Sequence, residues 1–259
     1  MIAGGFGLSQ EDLDRETARF GVADDQVRRD HAISHILGGI SNRLRNDVIF
    51  FGGTALSRTH LVHARLSEDI DLIALGDRRG IAERLVTSIN AALLRTHGRL
   101  SWSPSFTARD LEPSIVETST GISISVQLLD RHGYQPWPTE LRDIEQRYHD
   151  APPATLIVPT IESFAGWKTT AWHLRGAPRD LYDLWALADA GSITPEAADL
   201  FAKHGTTGTR PREFMFAKAP SEVEWQASLS GQTRLDVKAA EALEVVRNAW
   251  ASAVDEKWD

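Results

Sequence analysis

The chain contains no cysteine among its 259 residues, which excludes disulfides and every thiolate-bound metal centre. It also lacks an unbroken apolar run of the roughly 18 residues that a membrane helix needs. Its N-terminus shows no charged-then-apolar leader pattern, so the expectation is a cytoplasmic address without membrane contact. Positive charge is scarce as well. Lys and Arg number 28 against 36 Asp and Glu, a net charge of −8, which argues against a protein that coats nucleic acid indiscriminately. Long heptads are missing, which disfavours a coiled-coil dimer and leaves the oligomeric state open. What is present is ordinary for a globular chain, 42% apolar and 25% charged, with length enough for a large core.

The patterning changes near residue 150. Before it, Ser9 with Glu11 and Asp12 reads as a helix start. A second helix over 24–45 carries Val27, Ile33, Ile36, Leu37, Ile40 and Leu44 as an apolar stripe. Residues 47–51 read as a strand entering Gly52-Gly53, and Thr54 as the cap of a short helix to about His63. Residues 66–75 form the next strand and 81–96 an amphipathic helix. Strand-like runs follow at 100–107, 114–117 and 122–128, the last two joined by a hairpin turn over 118–121. Beyond Ala151-Pro152-Pro153 and Pro159 the chain reads as helical, over 161–175, 178–190, 194–203 and 235–254, with 205–234 unassigned. The expected fold class is α/β (α+β): a mixed sheet with flanking helices over 1–150, then a helical C-terminal domain over 151–259.

The stretch Phe51 to Leu75 carries the most chemistry. Asp69 and Asp71 stand one residue apart in a strand framed by Ile70, Leu72, Ile73 and Leu75, so both carboxylates project to one face. Side by side they repel unless a cation lies between them, and hard oxygen ligands suit Mg²⁺ carrying a nucleoside triphosphate. Ser67 shares their face, while Glu68 points the other way. Gly52-Gly53-Thr54 lies at a strand-to-helix turn, where backbone N–H groups and the Thr54 hydroxyl can meet phosphate oxygens. A Gly-Gly turn also serves simply to make a tight bend, and an Asp pair also occurs in ion pairs. Six arginines between Arg28 and Arg65 (with Arg29, Arg43, Arg45 and Arg58) face only Asp30 and Asp47 as acids, which is compatible with a basic face for polyphosphate or RNA and equally with a solvated surface. His60 and His63 have H-x-x-H spacing without a third ligand in view, which favours a helix end over zinc.

A second group lies on the helix after residue 160. Lys168 and Arg175 are seven residues apart and share a face with Trp172 between them. Two cations beside an aromatic plane can grip a triphosphate and stack a base. Trp172 reads equally well as core. Arg179 and Asp183 have the spacing of a helix salt bridge, and Asp180 that of a partner for the helix dipole.

Taken together, Gly52-Gly53-Thr54 followed by Arg65-x-Ser67-Glu68-Asp69-Ile70-Asp71-Leu72 resembles the nucleotidyltransferase superfamily of DNA polymerase beta-like enzymes. With Lys168, Arg175 and Arg179-Asp180-Leu181-Tyr182-Asp183-Leu184 in that order, the chain resembles more narrowly the AbiEii/AbiGii nucleotidyltransferase toxins, the MenT-like toxins of type IV toxin–antitoxin systems. That resemblance implies Asp69 and Asp71 as catalytic metal ligands for Mg²⁺, with Mn²⁺ as the alternative. It implies Lys168 and Asp183 as catalytic residues, triphosphate binder and active-site acid respectively. Gly52, Gly53, Thr54, Ser67, Lys168 and Arg175 become the nucleotide-binding set. The implied reaction is transfer of nucleotides from an NTP to the 3′ end of tRNA, by in-line attack assisted by two metals with loss of pyrophosphate. The implied partner is a cognate antitoxin. Alternatives are transfer to a protein hydroxyl or small molecule, or an impaired protein that only binds nucleotide or antitoxin.

One position departs from the superfamily pattern. Members usually place a third carboxylate on a neighbouring strand, here 122–129, whose polar face is Ser123, Ser125 and Gln127. Gln127 stands where the acid is expected, and Asp130 is out of phase. Asp183 or Glu117 could substitute as general base, or the base is dispensable.

Overall fold

In the computed structural model, residues 7–107, 112–132 and 134–258 are described. The chain divides into two compact units, Met1–Tyr134 with Glu140–Val158, and Gln135–Thr139 with Pro159–Asp259.

The first unit opens with α1 (Gln10–Phe20), capped by the Ser9 hydroxyl and ended by Gly21, then α2 (Asp24–Leu44). β1 (Val48–Phe51) runs into α3 (Gly52–Thr59). β2 (Asp69–Ala74), α4 (Arg78–Leu93), β3 (Leu100–Ser103), β4 (Ser114–Thr118) and β5 (Ser123–Asp130) follow. β6 (Thr139–Ile144) and β7 (Ala154–Pro159) complete a seven-stranded sheet in the order β3-β4-β5-β2-β1-β7-β6. β2 is central, antiparallel to β1 and parallel to β5. Its apolar residues Ile70 and Leu72 are fully buried, whereas Asp69 and Asp71 are half-buried on the opposite face. α2 packs on α4, where Ser88 donates its hydroxyl to the Gly39 carbonyl at 2.7 Å.

Two expectations about this unit change. α3 begins at Gly52 with Phe51 at its N-cap, so Thr54 lies inside the helix and does not cap it. The chain beyond residue 150 is not all helical, because β7 pairs in parallel with β1 through Ile157 and Ile49. Prolines at 152, 153 and 159 mask its alternation, although Leu156 and Val158 are fully buried. β6 escaped notice because it is a mostly exposed strand with a polar sequence at the sheet's edge.

A buried ion cluster anchors α3. Asp30 on α2 meets Arg58 at 2.8 Å and Arg147 at 3.0 Å, and accepts a hydrogen bond from the Tyr148 hydroxyl at 2.8 Å. Arg58 also donates to the Glu145 carbonyl at 2.8 Å. Burial alone would raise the Asp30 carboxyl, but the Arg58 and Arg147 guanidiniums outweigh it and hold it below the usual carboxylate range.

The second unit is helical: α5 (Ile161–Arg175), α6 (Pro178–Asp189), α7 (Pro195–His204), α8 (Glu222–Leu229) and α9 (Ala239–Val254), with a 3-10 turn at Glu213–Phe216. The unassigned stretch thus contains α8, whose start is a capping box of Ser221 and Glu224. Trp225 and Trp250 are fully buried, and the Trp225 indole donates to the Val237 carbonyl at 2.9 Å. Among the described residues no helix is long and apolar enough to cross a membrane.

Candidate active site

Alternation in β2 sends Asp69 and Asp71 to one face, and the register with the neighbouring strands sets what lies beside them. Asp71 is aligned with Gln127 of β5 on one side and with Phe51 of β1 on the other, and Asp69 is aligned with Ser125. Gln127 and Ser125 are half-buried like the carboxylates. The amide therefore occupies the strand position flanking Asp71, and the β5 positions on that face, Ser123, Ser125 and Gln127, carry no acid; Glu117, on the same face, lies one strand further out in register with Ser123.

The Gly52-Gly53 turn closes directly on this face. Gly52 has a φ of +79°, and a Cβ there would sit 2.2 Å from the Asp71 Oδ2. A Cβ on Gly53 would come within 2.9 Å of an Arg65 guanidinium nitrogen and 3.0 Å of the Ser67 hydroxyl. Glycine is favoured at Gly52 by its positive φ together with the carboxylate against it, while at Gly53 the Arg65 and Ser67 side chains crowd the backbone. Phe51 supplies no side-chain cap to α3, and the helix N-terminus meets the carboxylate face at Asp71. Gly52, Gly53, Ser67 and Asp71 are thereby brought together.

Thr54 reaches the same place differently. Its hydroxyl, almost wholly buried, donates to the backbone carbonyl of Asp69. That bond ties the first turn of α3 to the start of β2 and so holds the carboxylate strand against the glycine turn. Glu68 turns toward α2, where Gln26 donates to it at 3.2 Å and Arg29 lies at 3.5 Å.

Tyr134 is a neighbour the sequence did not signal. Its ring lies 6.2 Å from that of Phe51, and burial together with the Asp71 charge pushes its phenol above the ordinary value. No motif leads to it.

The expected basic face is reduced. Arg58 and Arg65 are buried, Arg58 within the Asp30 cluster, because each has an internal acceptor; Arg65 donates to the Leu66 carbonyl at 3.1 Å. Arg28, Arg43 and Arg45 are exposed.

In the second unit, α5 and the start of α6 form an ionic cluster. Lys168 lies 2.6 Å from Asp183 and 3.5 Å from Asp180. Arg175 holds Asp180 in a two-pronged bond, at 2.6 Å through Nε and 2.8 Å through a terminal nitrogen. Asp180 is thus a buried hub, more than a partner of the helix dipole. Asp183 is engaged by Lys168, a partner fifteen residues back instead of the Arg179 four residues before it. Trp172 is 5% exposed and its indole N–H donates to the Met215 carbonyl at 2.9 Å, which makes it core and removes it as a platform for a base. Lys168, Arg175 and Asp183 therefore come together through Asp180, a residue of the R-D-x-x-D-L box to which sequence reasoning had assigned only the dipole role.

Comparison with known proteins bears on the fold and the family. A solved structure of MenT4, a nucleotidyltransferase toxin from Mycobacterium tuberculosis H37Rv, is similar with a TM-score of 0.69 and 24% identity, covering 97% of this chain and 91% of that one. A putative nucleotidyltransferase from H. pylori shares the fold more loosely, with a TM-score of 0.51 and 13% identity over 90% of this chain and 95% of that one. Among curated protein sequences none matches. The family model described as "Nucleotidyl transferase AbiEii toxin, Type IV TA system" matches residues 35–256, a span that includes both the carboxylate strand and the Lys168 cluster. The chain belongs to the AbiEii nucleotidyltransferase toxin family of type IV toxin–antitoxin systems.

Proposed function

We propose that this nucleotidyltransferase toxin moves a nucleotide from an NTP to the 3′ end of tRNA in the cytoplasm, and that a cognate antitoxin restrains it. The observation that carries the reading is the packing of the Gly52 turn directly on the Asp71 carboxylate, with Asp69 on the same face. A substrate triphosphate at this turn meets backbone N–H groups of α3, the Ser67 hydroxyl and the two acids. Two half-buried carboxylates fit a hard divalent ion, Mg²⁺ or in its place Mn²⁺, whose chemistry when bound is to neutralise charge building on phosphate oxygens. A terminal ribose hydroxyl of the acceptor attacks the α-phosphorus and gives up its proton to water. One P–O bond forms, the bond to the β-phosphate bridge breaks, and pyrophosphate leaves. Gly52, Gly53 and Thr54 hold the turn that orients the phosphates. The family resemblance adds Lys168 and Arg175 as triphosphate cations and Asp183 as an active-site acid, and Lys168 and Asp183 lie 2.6 Å apart.

Gln127 supports a second reading. In register with Asp71, it leaves the strand position beside the metal pair without an acid, as expected of a slow enzyme or of a protein that only binds nucleotide or antitoxin. Transfer to a protein hydroxyl or a small molecule would use the same residues with another acceptor.

One experiment separates these readings. The protein is incubated with Mg²⁺ and each α-labelled NTP, with total tRNA or total protein as acceptor, beside Asp69→Ala. Label on tRNA that disappears in Asp69→Ala is the expected result. Label on protein alone would overturn the acceptor, and no label from folded protein would favour the binding-only reading.

A further inference from the structure

Away from the carboxylate strand, the first unit holds a cluster that the nucleotidyl reaction does not use. His31 and His35 stand one turn apart on α2, so their rings share a face. Asp150, in the connection between β6 and β7, meets both: His31 Nε2 lies 3.0 Å from one carboxylate oxygen and His35 Nε2 lies 3.2 Å from the other. The two Nε2 atoms are 3.3 Å apart. The two carboxylate contacts run to different oxygens, and one ligand atom from each of the three residues lies within 4.8 Å of the others. Four ligands placed tetrahedrally at about 2.0–2.1 Å from Zn²⁺ stand about 3.3 Å from one another. Two of the distances within one ligand set, 3.3 Å between the Nε2 atoms and 3.0 Å from His31 Nε2 to one Asp150 oxygen, match that spacing.

The outer contacts fit the same purpose. His31 turns its other nitrogen, Nδ1, to His97 Nε2 at 3.3 Å, and His97 in turn meets the Thr96 hydroxyl at 2.7 Å. A hydrogen on Nδ1 leaves the Nε2 lone pair of His31 free to ligate, which is how the outer contacts of metal-bound histidines set the tautomer. The Gly7 backbone N–H donates to Asp150 at 3.0 Å and orients the carboxylate. Without an ion, both Nε2 atoms need hydrogens to reach Asp150, and two N–H groups then crowd each other at 3.3 Å. A cation removes that conflict.

We propose that His31, His35 and Asp150 form a binding site for Zn²⁺ or a similar first-row divalent ion, distinct from the Asp69–Asp71 pair. Two imidazoles and one carboxylate select a borderline transition metal over Mg²⁺, which prefers an all-oxygen shell. His31 and His35 are nearly buried, and Asp150 lies 115 residues beyond His35, so the ion acts as a clip joining α2 to the β6–β7 connection. The same connection carries Arg147 and Tyr148 to Asp30, so the clip reinforces the packing that anchors α3. Three protein ligands leave a fourth position for water.

The test uses the full chain loaded with Zn²⁺ and dialysed into metal-free buffer, with bound metal measured by mass spectrometry and stability by thermal melting. The expected result is about one zinc per chain in the wild type and in Asp69→Ala alike, with a fall in Tm on the order of 5 °C on adding a chelator. His35→Gln, which preserves polarity and approximate size, should lose the zinc and the chelator effect. Co²⁺ loaded in place of zinc should give the intense visible absorption of a low-coordinate site in the wild type. A wild type that retains no zinc and is indifferent to chelator overturns the proposal, as does undiminished zinc in folded His35→Gln. If His35→Gln does not fold, wild-type stoichiometry and the Co²⁺ spectrum decide alone. Loss of zinc in Asp69→Ala would assign the ion to the catalytic strand and overturn the separate site.

Discussion

Asp30 and Asp71 belong to the same unit and have opposite surroundings. Asp30 is 2% exposed and enclosed by Arg58, Arg147 and the Tyr148 hydroxyl. Asp71 is half-buried, faces a glycine turn on one side and stands in register with a neutral amide. A carboxylate wrapped by two guanidiniums has its charge answered inside the protein and is a structural element. A half-buried carboxylate beside a second acid and against a backbone turn keeps access to solvent, where a divalent ion can meet it. Burial and neighbours, more than residue type, separate scaffold from chemistry.

Crossed substitutions sharpen this contrast most. Asp71→Asn should lower nucleotide transfer on the order of 10³-fold, by loss of a ligand oxygen charge, with a melting temperature close to wild type. Asp30→Asn should destabilise the protein by about 3–5 kcal/mol, because two buried guanidiniums lose their counter-charge. The pH dependence has a definite sign. Asp30 has a folded-state value below its unfolded one, so its contribution is present above the unfolded value of 3.8 and is lost as pH falls through the lower folded value. Acid denaturation curves should therefore be shallower below about pH 4 in Asp30→Asn than in the wild type. Equal loss of stability in both variants would erase the distinction.

The turn that meets Asp71 comes next in size. Gly52→Ala adds a Cβ where the carboxylate lies, at a φ of +79°. The backbone strain alone is about 1–2 kcal/mol, and displacement of Asp71 should raise KM for the NTP roughly 10-fold. Stability without a change in KM would show that the carboxylate does not depend on the turn. The smallest effect belongs to Thr54→Val, which keeps shape and removes the hydroxyl bound to the Asp69 carbonyl. A cost of about 1 kcal/mol is expected in chemical denaturation.

Much of the carboxylate face was legible before any coordinates. Alternation of Asp69, Ile70, Asp71 and Leu72 carries both the strand and the direction of the acids, because side chains on a strand alternate whatever surrounds them. Gly52-Gly53 marked the turn, and Gln127 was visible as the missing acid of β5. The Lys168–Arg175 spacing was legible as a shared face, but not the role of Trp172, since an indole between two cations reads alike as platform or core. From sequence Asp180 reads as a local dipole partner, because helical spacing says nothing of a residue reached across a helix junction. β6 and β7 went unseen, one polar at an edge and the other fenced by prolines. α8 was recoverable in principle from its Ser221–Glu224 box.

By itself the sequence determined the local devices: which residues alternate, where glycine permits a turn, where a helix is capped, and which charges share a helical face. These depend on neighbours a few residues away, through backbone sterics and side-chain period. Only the tertiary structure decided which charges are answered. Asp30 finds Arg147 from 117 residues away, His35 finds Asp150 from 115, and Asp71 comes to lie against the Gly52 turn. Such pairings are set by sheet order and helix packing, and the free energy of a charge depends on what the fold brings beside it.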